Sequence, residues 1–180
     1  MQRSSKVPVI GVAGWKNSGK TTLVVRLIEE FARRGLKVGT VKHSHHAMAC
    51  ENDDTDSARH RKAGARQTAL VSRERWELIT ELGGAPEPAL EEVIGIFDRC
   101  DLIIVEGYKS AAIPKIEVRR QASQTRDPLA DADPLVVAIA ADHPVSDAKV
   151  PVYRLDDIAG IADRIGLVTG CLNPKSEPER

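Results

Sequence analysis

Apolar runs of strand length alternate with helix-periodic segments along nearly the whole chain, the pattern of an α/β fold. Val7 to Ala13 (VPVIGVA) is continuously apolar, as in a strand buried on both faces, and it breaks at Gly14 into a polar, glycine-bearing turn. Leu23, Val24, Leu27, Ile28 and Phe31 then recur at helical spacing, with Arg26, Glu29, Glu30, Arg33 and Arg34 opposite and Gly35 placed as a helix stop. Leu36 to Val41 reads as the next strand. Between His43 and Thr55 neither period holds, which predicts a long polar loop of the functional or mobile kind. Ser57 to Ala63 reads as a short helix, and Ala65 to Val71 and Arg75 to Thr80 as two strands in quick succession, with a turn at Gly83 to Pro88. Leu90, Val93, Ile94 and Phe97 lie at i, i+3, i+4 and i+7 and predict an amphipathic helix ending near Cys100. Leu102 to Val105 (LIIV) and Leu135 to Ala140 (LVVAIA) are apolar throughout, whereas Lys115 to Arg120 (KIEVRR) alternates like a half-exposed or edge strand. Pro151 to Leu155 and a helix from Asp156 to Ile165 complete the pattern. The expectation is a single domain over residues 7–170, a mostly parallel sheet flanked by helices with an extra β-hairpin or edge-strand extension, and disordered ends at 1–6 and 173–180.

Composition excludes function classes without choosing one. The chain has 180 residues, 42% of them hydrophobic, enough to bury a core without disulfides or a structural metal. Lys plus Arg and Asp plus Glu number 26 each, so the net charge is zero, which argues against a nucleic-acid or anionic-membrane binder. Two each of Phe, Trp and Tyr supply no row of stacking platforms for single-stranded nucleic acid. Cys50, Cys100 and Cys171 are odd in number and far apart, which fits a reducing cytoplasm rather than a disulfide framework. No apolar run approaches the ~18 residues of a membrane span, and the first residues do not read as a secretion signal.

The strongest chemical signal is Gly14-Trp15-Lys16-Asn17-Ser18-Gly19-Lys20-Thr21, which satisfies G-x-x-x-x-G-K-[ST] and is followed by Thr22. The four fixed positions coincide by chance in roughly one chain of this length in a hundred. A buried strand before the turn and an amphipathic helix after it give the right context for a Walker A loop. Glycines let backbone N–H groups point at phosphate oxygens, and the helix N-terminus adds its positive end. Lys20 is expected to reach the β- and γ-phosphates and Thr21 Oγ1 to ligate Mg²⁺. A second acid is expected where strand Leu102 to Val105 ends, at Glu106, because the ligand crevice of an open parallel sheet lies at the carboxyl ends of its strands. Its role would be to hold a metal-bound water or orient the attacking one. An ordinary acid after a strand is the alternative.

The segment Lys42 to Ala65 holds four of the five histidines. Three readings compete: a metal site using His43, His45, His46, Cys50 or Asp56, a solvated polar loop, and a substrate- or switch-type loop beside the γ-phosphate. The last is favoured because the segment follows the second strand. It makes Asp56 a candidate to reach Mg²⁺ through water, and Lys42 or Arg59 candidates to face phosphate. The Asn-Lys-x-Asp motif of common guanine-specific GTPases is absent. Asp142, after the strand Leu135 to Ala140, holds a comparable place and is a candidate acceptor for guanine, or else a plain turn residue.

These residues resemble the molybdopterin-guanine dinucleotide biosynthesis protein B (MobB) family. The likeness rests on GWKNSGKTTL (Gly14 to Leu23), TVKHSHH (Thr40 to His46), DS-x-RH-x-x-GA (Asp56 to Ala65) and DLIIVEGYK (Asp101 to Lys109), in that order. The resemblance implies a cytoplasmic, homodimeric GTP-binding protein with weak Mg²⁺-dependent GTPase activity. Such a protein assists the guanylyltransferase that attaches GMP to molybdopterin in molybdenum cofactor biosynthesis. Gly14 to Thr22 carry over as the nucleotide loop and Glu106 as the acid of the second motif. Lys42, His43, Asp56, Ser57, Arg59 and His60 mark a shared pattern without assigned chemistry. A non-catalytic GTP-binding adaptor for the guanylyltransferase and a P-loop small-molecule kinase are the alternatives. An edge strand at KIEVRR would offer a surface for dimerisation.

Overall fold

The structure is a computed structural model that describes residues 7–44, 55–123 and 127–172. The ends expected to be disordered, 1–6 and 173–180, lie outside the described residues, as do His45, His46 and Cys50. The sequence predicts one domain over 7–170, but the chain divides into two compact units, one of residues up to 43 and from 93 onward, the other of residues 44–92. The first crossing falls at the start of the polar loop that the sequence predicts from His43, whereas the second, after Glu92, lies inside a helix-periodic segment and has no mark in the sequence.

The first unit is built on six parallel strands: β1 (Val9–Ala13), β2 (Val38–Lys42), β5 (Leu102–Glu106), β6 (Lys115–Arg119), β7 (Val136–Ala141) and β8 (Val152–Arg154), in the order β2-β5-β1-β6-β7-β8. Two helices, α1 (Lys20–Arg33) and α4 (Ile158–Thr169), contact each other and the sheet. Period-2 alternation sends Ile10 and Val12, Leu102 and Ile104, Ile116 and Val118, and Ala138 and Ala140 into the cluster these helices cover. Leu27 and Phe31 of α1 and Ile161 and Ile165 of α4 are wholly buried there. Each contributes about 1.5–3 kcal/mol by leaving water. Gly35 (φ +83) stands just past the Arg34 C-cap, the helix stop the sequence predicts. Asp157 caps α4, accepting from Gly160 N at 3.0 Å.

KIEVRR departs from expectation. It is not an edge strand: β6 lies between β1 and β7, and the edges of the sheet are β2 and β8. Its charged positions, Lys115 and Glu117, are each 1% exposed. They are tolerated because both are fully paired. Lys115 Nζ donates to Asp133 Oδ2 at 2.8 Å. Burial pushes the Asp133 carboxyl up, but this bond and one from Leu135 N leave it below the usual aspartate value. The Glu117 carboxylate takes both forks of Arg119 at 2.9 and 2.8 Å, and the backbone N–H groups of Leu129 and Ala130 at 2.9 Å each. Gly11 makes room on β1, since a Cβ there would lie 2.9 Å from Lys115 Cγ. The strand alternates because its second face meets polypeptide, not solvent.

In the second unit, α2 (Asp56–Lys62) is capped by Thr55, whose hydroxyl accepts from Ala58 N at 3.2 Å, and its last turn is basic, complementing the helix dipole. β3 (Gln67–Val71) and β4 (Trp76–Thr80) pair antiparallel as the expected hairpin. Ser72 Oγ organises its tip, accepting from Arg75 N at 3.1 Å. At the boundary between the units, α3 (Leu90–Gly95) stops short of Cys100. Gly95 weakens the helix, and three-residue bonds from Ile96 N to Val93 O and Phe97 N to Ile94 O close its last turn. Phe97 leaves the helix and packs over Gly39. Among the described residues no helix is long and apolar enough to cross a membrane.

Replacing Glu117 by Ala would strand the Arg119 guanidinium and two buried N–H groups. The loss should be about 3–5 kcal/mol, read as a lower urea midpoint at unchanged slope. An unchanged midpoint would contradict this account of β6.

Candidate functional site

The turn leaves the carboxyl end of β1 and becomes α1, so the two neighbours of β1 decide what faces it. β5 delivers Glu106 on one side, and β6 delivers Arg120 just beyond its end on the other. Gly14 (φ +152) admits no side chain, since a Cβ would sit 2.6 Å from the Val118 carbonyl oxygen and 2.7 Å from Ser18 Oγ. Asn17 (φ +63) and Gly19 (φ +89) take the left-handed conformations that shape the rest of the turn. Gly19 caps α1 without any side-chain hydrogen bond, and the first turn carries no acid. The N-terminal end of a 14-residue helix is thus left to an anion. Ser18 Oγ is buried and has no partner among the described residues.

Lys20 Nζ donates to the Trp15 carbonyl at 2.7 Å. Burial holds its pKa below the ordinary lysine value, Glu106 opposes the shift, and Lys109 and Lys42 add to it. Thr21 Oγ1 donates to Glu106 Oε1 at 2.6 Å, and Lys42 Nζ stands 3.4 Å from the same hydroxyl and 3.6 Å from the same carboxylate oxygen. A hydroxyl and a carboxylate side by side are hard oxygen donors of the kind Mg²⁺ takes, so these residues fit that ion. Asn17, Gly19, Lys20, Thr21, Thr22, Glu106 and Arg120 line a cleft of about 310 Å³.

Trp15 and Lys16 lie on the rim. The Trp15 indole N–H donates to the Asp127 carbonyl at 2.7 Å, and the Lys109 ammonium stands 3.4 Å from the centre of its ring. Ser123 Oγ donates to the Lys16 carbonyl at 3.2 Å. The turn is therefore tied to both the β5–β6 and the β6–β7 connections.

Asp142 follows β7 and lines a larger cleft of about 630 Å³ with Arg26, Arg120, His143, Tyr153 and Arg154 among its walls. Its Oδ1 accepts from Gln121 N at 2.8 Å and sits 2.9 Å from His143 Nδ1, which together hold its carboxyl below the usual aspartate value, the His143 contact contributing most. Oδ2 faces Arg120. Asp56 lies in the second unit on the first turn of α2, exposed and 3.5 Å from Arg59. In that unit it borders a cleft of about 350 Å³ with Thr55, Ser57, His60 and Thr68. Of the histidine-rich segment, His43 is described: its N–H donates to the Glu106 carbonyl at 3.0 Å and its ring lies 4.6 Å from that of Tyr108. Among the described residues no three His, Cys, Asp or Glu side chains gather as a metal site.

Sequence reasoning passed over Lys109, Ser123 and Arg120. Lys109 and Ser123 act through contacts that no local pattern encodes. Arg120 was legible in principle, because placing KIEVRR inside the sheet puts its last residue at the ligand edge.

A parallel sheet whose first strand runs through a G-x-x-x-x-G-K-T turn into a helix defines a P-loop-type α/β protein. The family described as molybdopterin guanine dinucleotide synthesis protein B (MobB) matches residues 9–142, and the chain belongs to it. Similar relatives include the molybdopterin-guanine dinucleotide biosynthesis adapter proteins of Haemophilus influenzae and Escherichia coli. The first is 39% identical over 161 residues, covering 87% of this chain and 88% of the relative. The second is 36% identical over 165 residues, covering 91% and 94%. A crystal structure of a MobB protein homolog from Bacillus stearothermophilus aligns with a TM-score of 0.66 at 27% identity, over 88% of this chain and 98% of that one.

Proposed function

We propose that this chain is a nucleotide-binding adapter in the assembly of molybdopterin guanine dinucleotide, holding GTP with Mg²⁺ at Gly14 to Thr22. The observation that carries the reading is the Thr21–Glu106 pair beside the uncapped start of α1. The phosphates lie along the turn, with Lys20 on the β- and γ-phosphates and the backbone N–H groups around them. Thr21 and Glu106 would hold Mg²⁺, which would supply charge neutralisation for the phosphates. The guanine lies toward the 630 Å³ cleft, where Asp142 Oδ2, which faces Arg120 and is not taken by Gln121 or His143, is the acceptor for its edge.

Hydrolysis, where it occurs, is slow. Lys20 and the turn stabilise charge on the transferring phosphoryl group, and Glu106 orients the attacking water. The name carried by the relatives, adapter protein, favours holding and presenting nucleotide to the molybdopterin guanylyltransferase over turnover. A cytoplasmic setting fits Cys100 and Cys171, neither of them in a disulfide.

We also propose a homodimer. With β6 inside the sheet, KIEVRR offers no edge for pairing. The hairpin does: Val71, Trp76 and Leu78 are exposed on a two-stranded sheet, an element of marginal stability by itself, and a second copy's hairpin is the occupant.

Three measurements test these readings. In a Trp76→Phe background, Trp15 fluorescence should respond to GTP more strongly than to ATP and depend on Mg²⁺; equal affinities would overturn the base assignment. Glu106→Gln should lower hydrolysis at least tenfold; with GTP binding by the variant retained, cofactor maturation in cells should continue, and loss of maturation despite retained binding would favour the enzyme over the adapter. Trp76→Glu should shift the mass measured by light scattering from dimer to monomer, and an unchanged dimer would remove the hairpin interface.

A further inference from the structure

Arg120 borders both the phosphate cleft and the larger cleft beside it. It follows β6, on the opposite side of β1 from Glu106, so the strand that carries the turn lies between this cation and that carboxylate. Its guanidinium passes 3.9 Å from the point where a Gly19 side chain would begin, directly over the start of α1. Among the described residues it has one partner, Asp142 Oδ2 at 3.8 Å from Nε, which is too long for a hydrogen bond. The neighbouring arginine of the larger cleft is differently placed, since Arg154 is committed to Asp156 by two bonds of 2.9 Å. The backbone of Arg120 is fixed on both flanks: its carbonyl accepts from Ser123 N at 3.0 Å, and the next N–H, of Gln121, donates to Asp142 Oδ1 at 2.8 Å. A half-exposed guanidinium with its donors uncommitted thus stands on a rigid base, over a glycine that leaves it room.

We propose that Arg120 is a nucleotide-binding residue whose guanidinium takes the α-phosphate, where the phosphate cleft opens into the nucleoside cleft. The inference rests on the reading that the turn holds a nucleotide. It adds a cation from β6 to the lysine of the turn, at the end of the triphosphate that Lys20 does not reach. Asp142 acts here as a positioning residue, holding the Gln121 backbone with one oxygen and setting the direction of Arg120 with the other. The planar fork of arginine suits a phosphate held by two oxygens, which a lysine would meet only as a point charge.

The test is calorimetric titration of the full chain with GTP, GDP and GMP, each with Mg²⁺, for the parent, Arg120→Gln, Arg120→Ala and Arg120→Lys, with thermal melts to confirm folding. Because all three ligands carry an α-phosphate, Arg120→Gln and Arg120→Ala should weaken each by a similar factor, on the order of tenfold or more. Arg120→Lys should recover part of the loss. Variants that bind like the parent would overturn the proposal and leave the nucleotide reading intact. A loss confined to GTP would move the contact to the γ-phosphate and overturn the α-phosphate assignment. A parent that binds none of the three would remove the nucleotide reading and this inference with it.

Discussion

The parallel pairing of β1 with β5 on one side and β6 on the other is the constraint from which the candidate site follows. Parallel strands end at a common edge, so whatever follows each strand is delivered to that edge without further design. β1 brings the glycine turn, β5 an acid, β6 an arginine and β7 an aspartate. The register is specific: Lys42 lies opposite Glu106 and Val12 opposite the same residue from the other side, which sets the carboxylate beside Thr21 and the Lys42 ammonium. A slip of one residue would turn Glu106 to the opposite face of the sheet.

The chain is neutral as a whole, but charge at this edge does not balance locally. Lys20 and Lys42 stand by one carboxylate, Lys109 adds a like charge near Lys20, and burial disfavours the charged form of Lys20 more than either. A polyanion relieves that crowding, and a cation beside Glu106 is compatible with it. The neutral total of the sequence therefore conceals a positive edge, which a residue count has no means of revealing. Among the described residues the contacts support charge placement, and the single carboxylate beside Thr21 also accepts that hydroxyl.

Much of this was legible. Apolar runs marked β1, β5 and β7, the turn motif marked the candidate site, and the order of four motifs marked the family. Glu106 was found by topology alone. What escaped followed from one ambiguity: alternation of charge and apolar residues describes an exposed face and an internally paired face equally well. Lys115 and Glu117 find their partners at Asp133 and at Leu129 and Ala130, distances along the chain that no local window spans. Placing β6 at an edge then hid Arg120 and offered for pairing a strand whose two sides are already taken by β1 and β7. The helix at Leu90 is shorter than its periodicity predicts because the pattern counts Phe97 as a helical contact, whereas Phe97 packs over Gly39 after the helix has stopped. Asp142 was found, but the commitment of one of its oxygens to Gln121 and His143 depends on two separate turns meeting.

The pairing of Lys115 and Glu117 with a later stretch of chain also bears on the order of assembly during synthesis. Residues 129, 130 and 133 leave the ribosome after β6 does, and until they arrive the strand carries charges whose burial would be uncompensated. β1, β2 and β5 have no such debt and are free to pair as soon as Glu106 emerges. The sheet is thus vectorial: its first half closes early, while the half that brings Arg120 to the turn waits for more than a dozen further residues of translation.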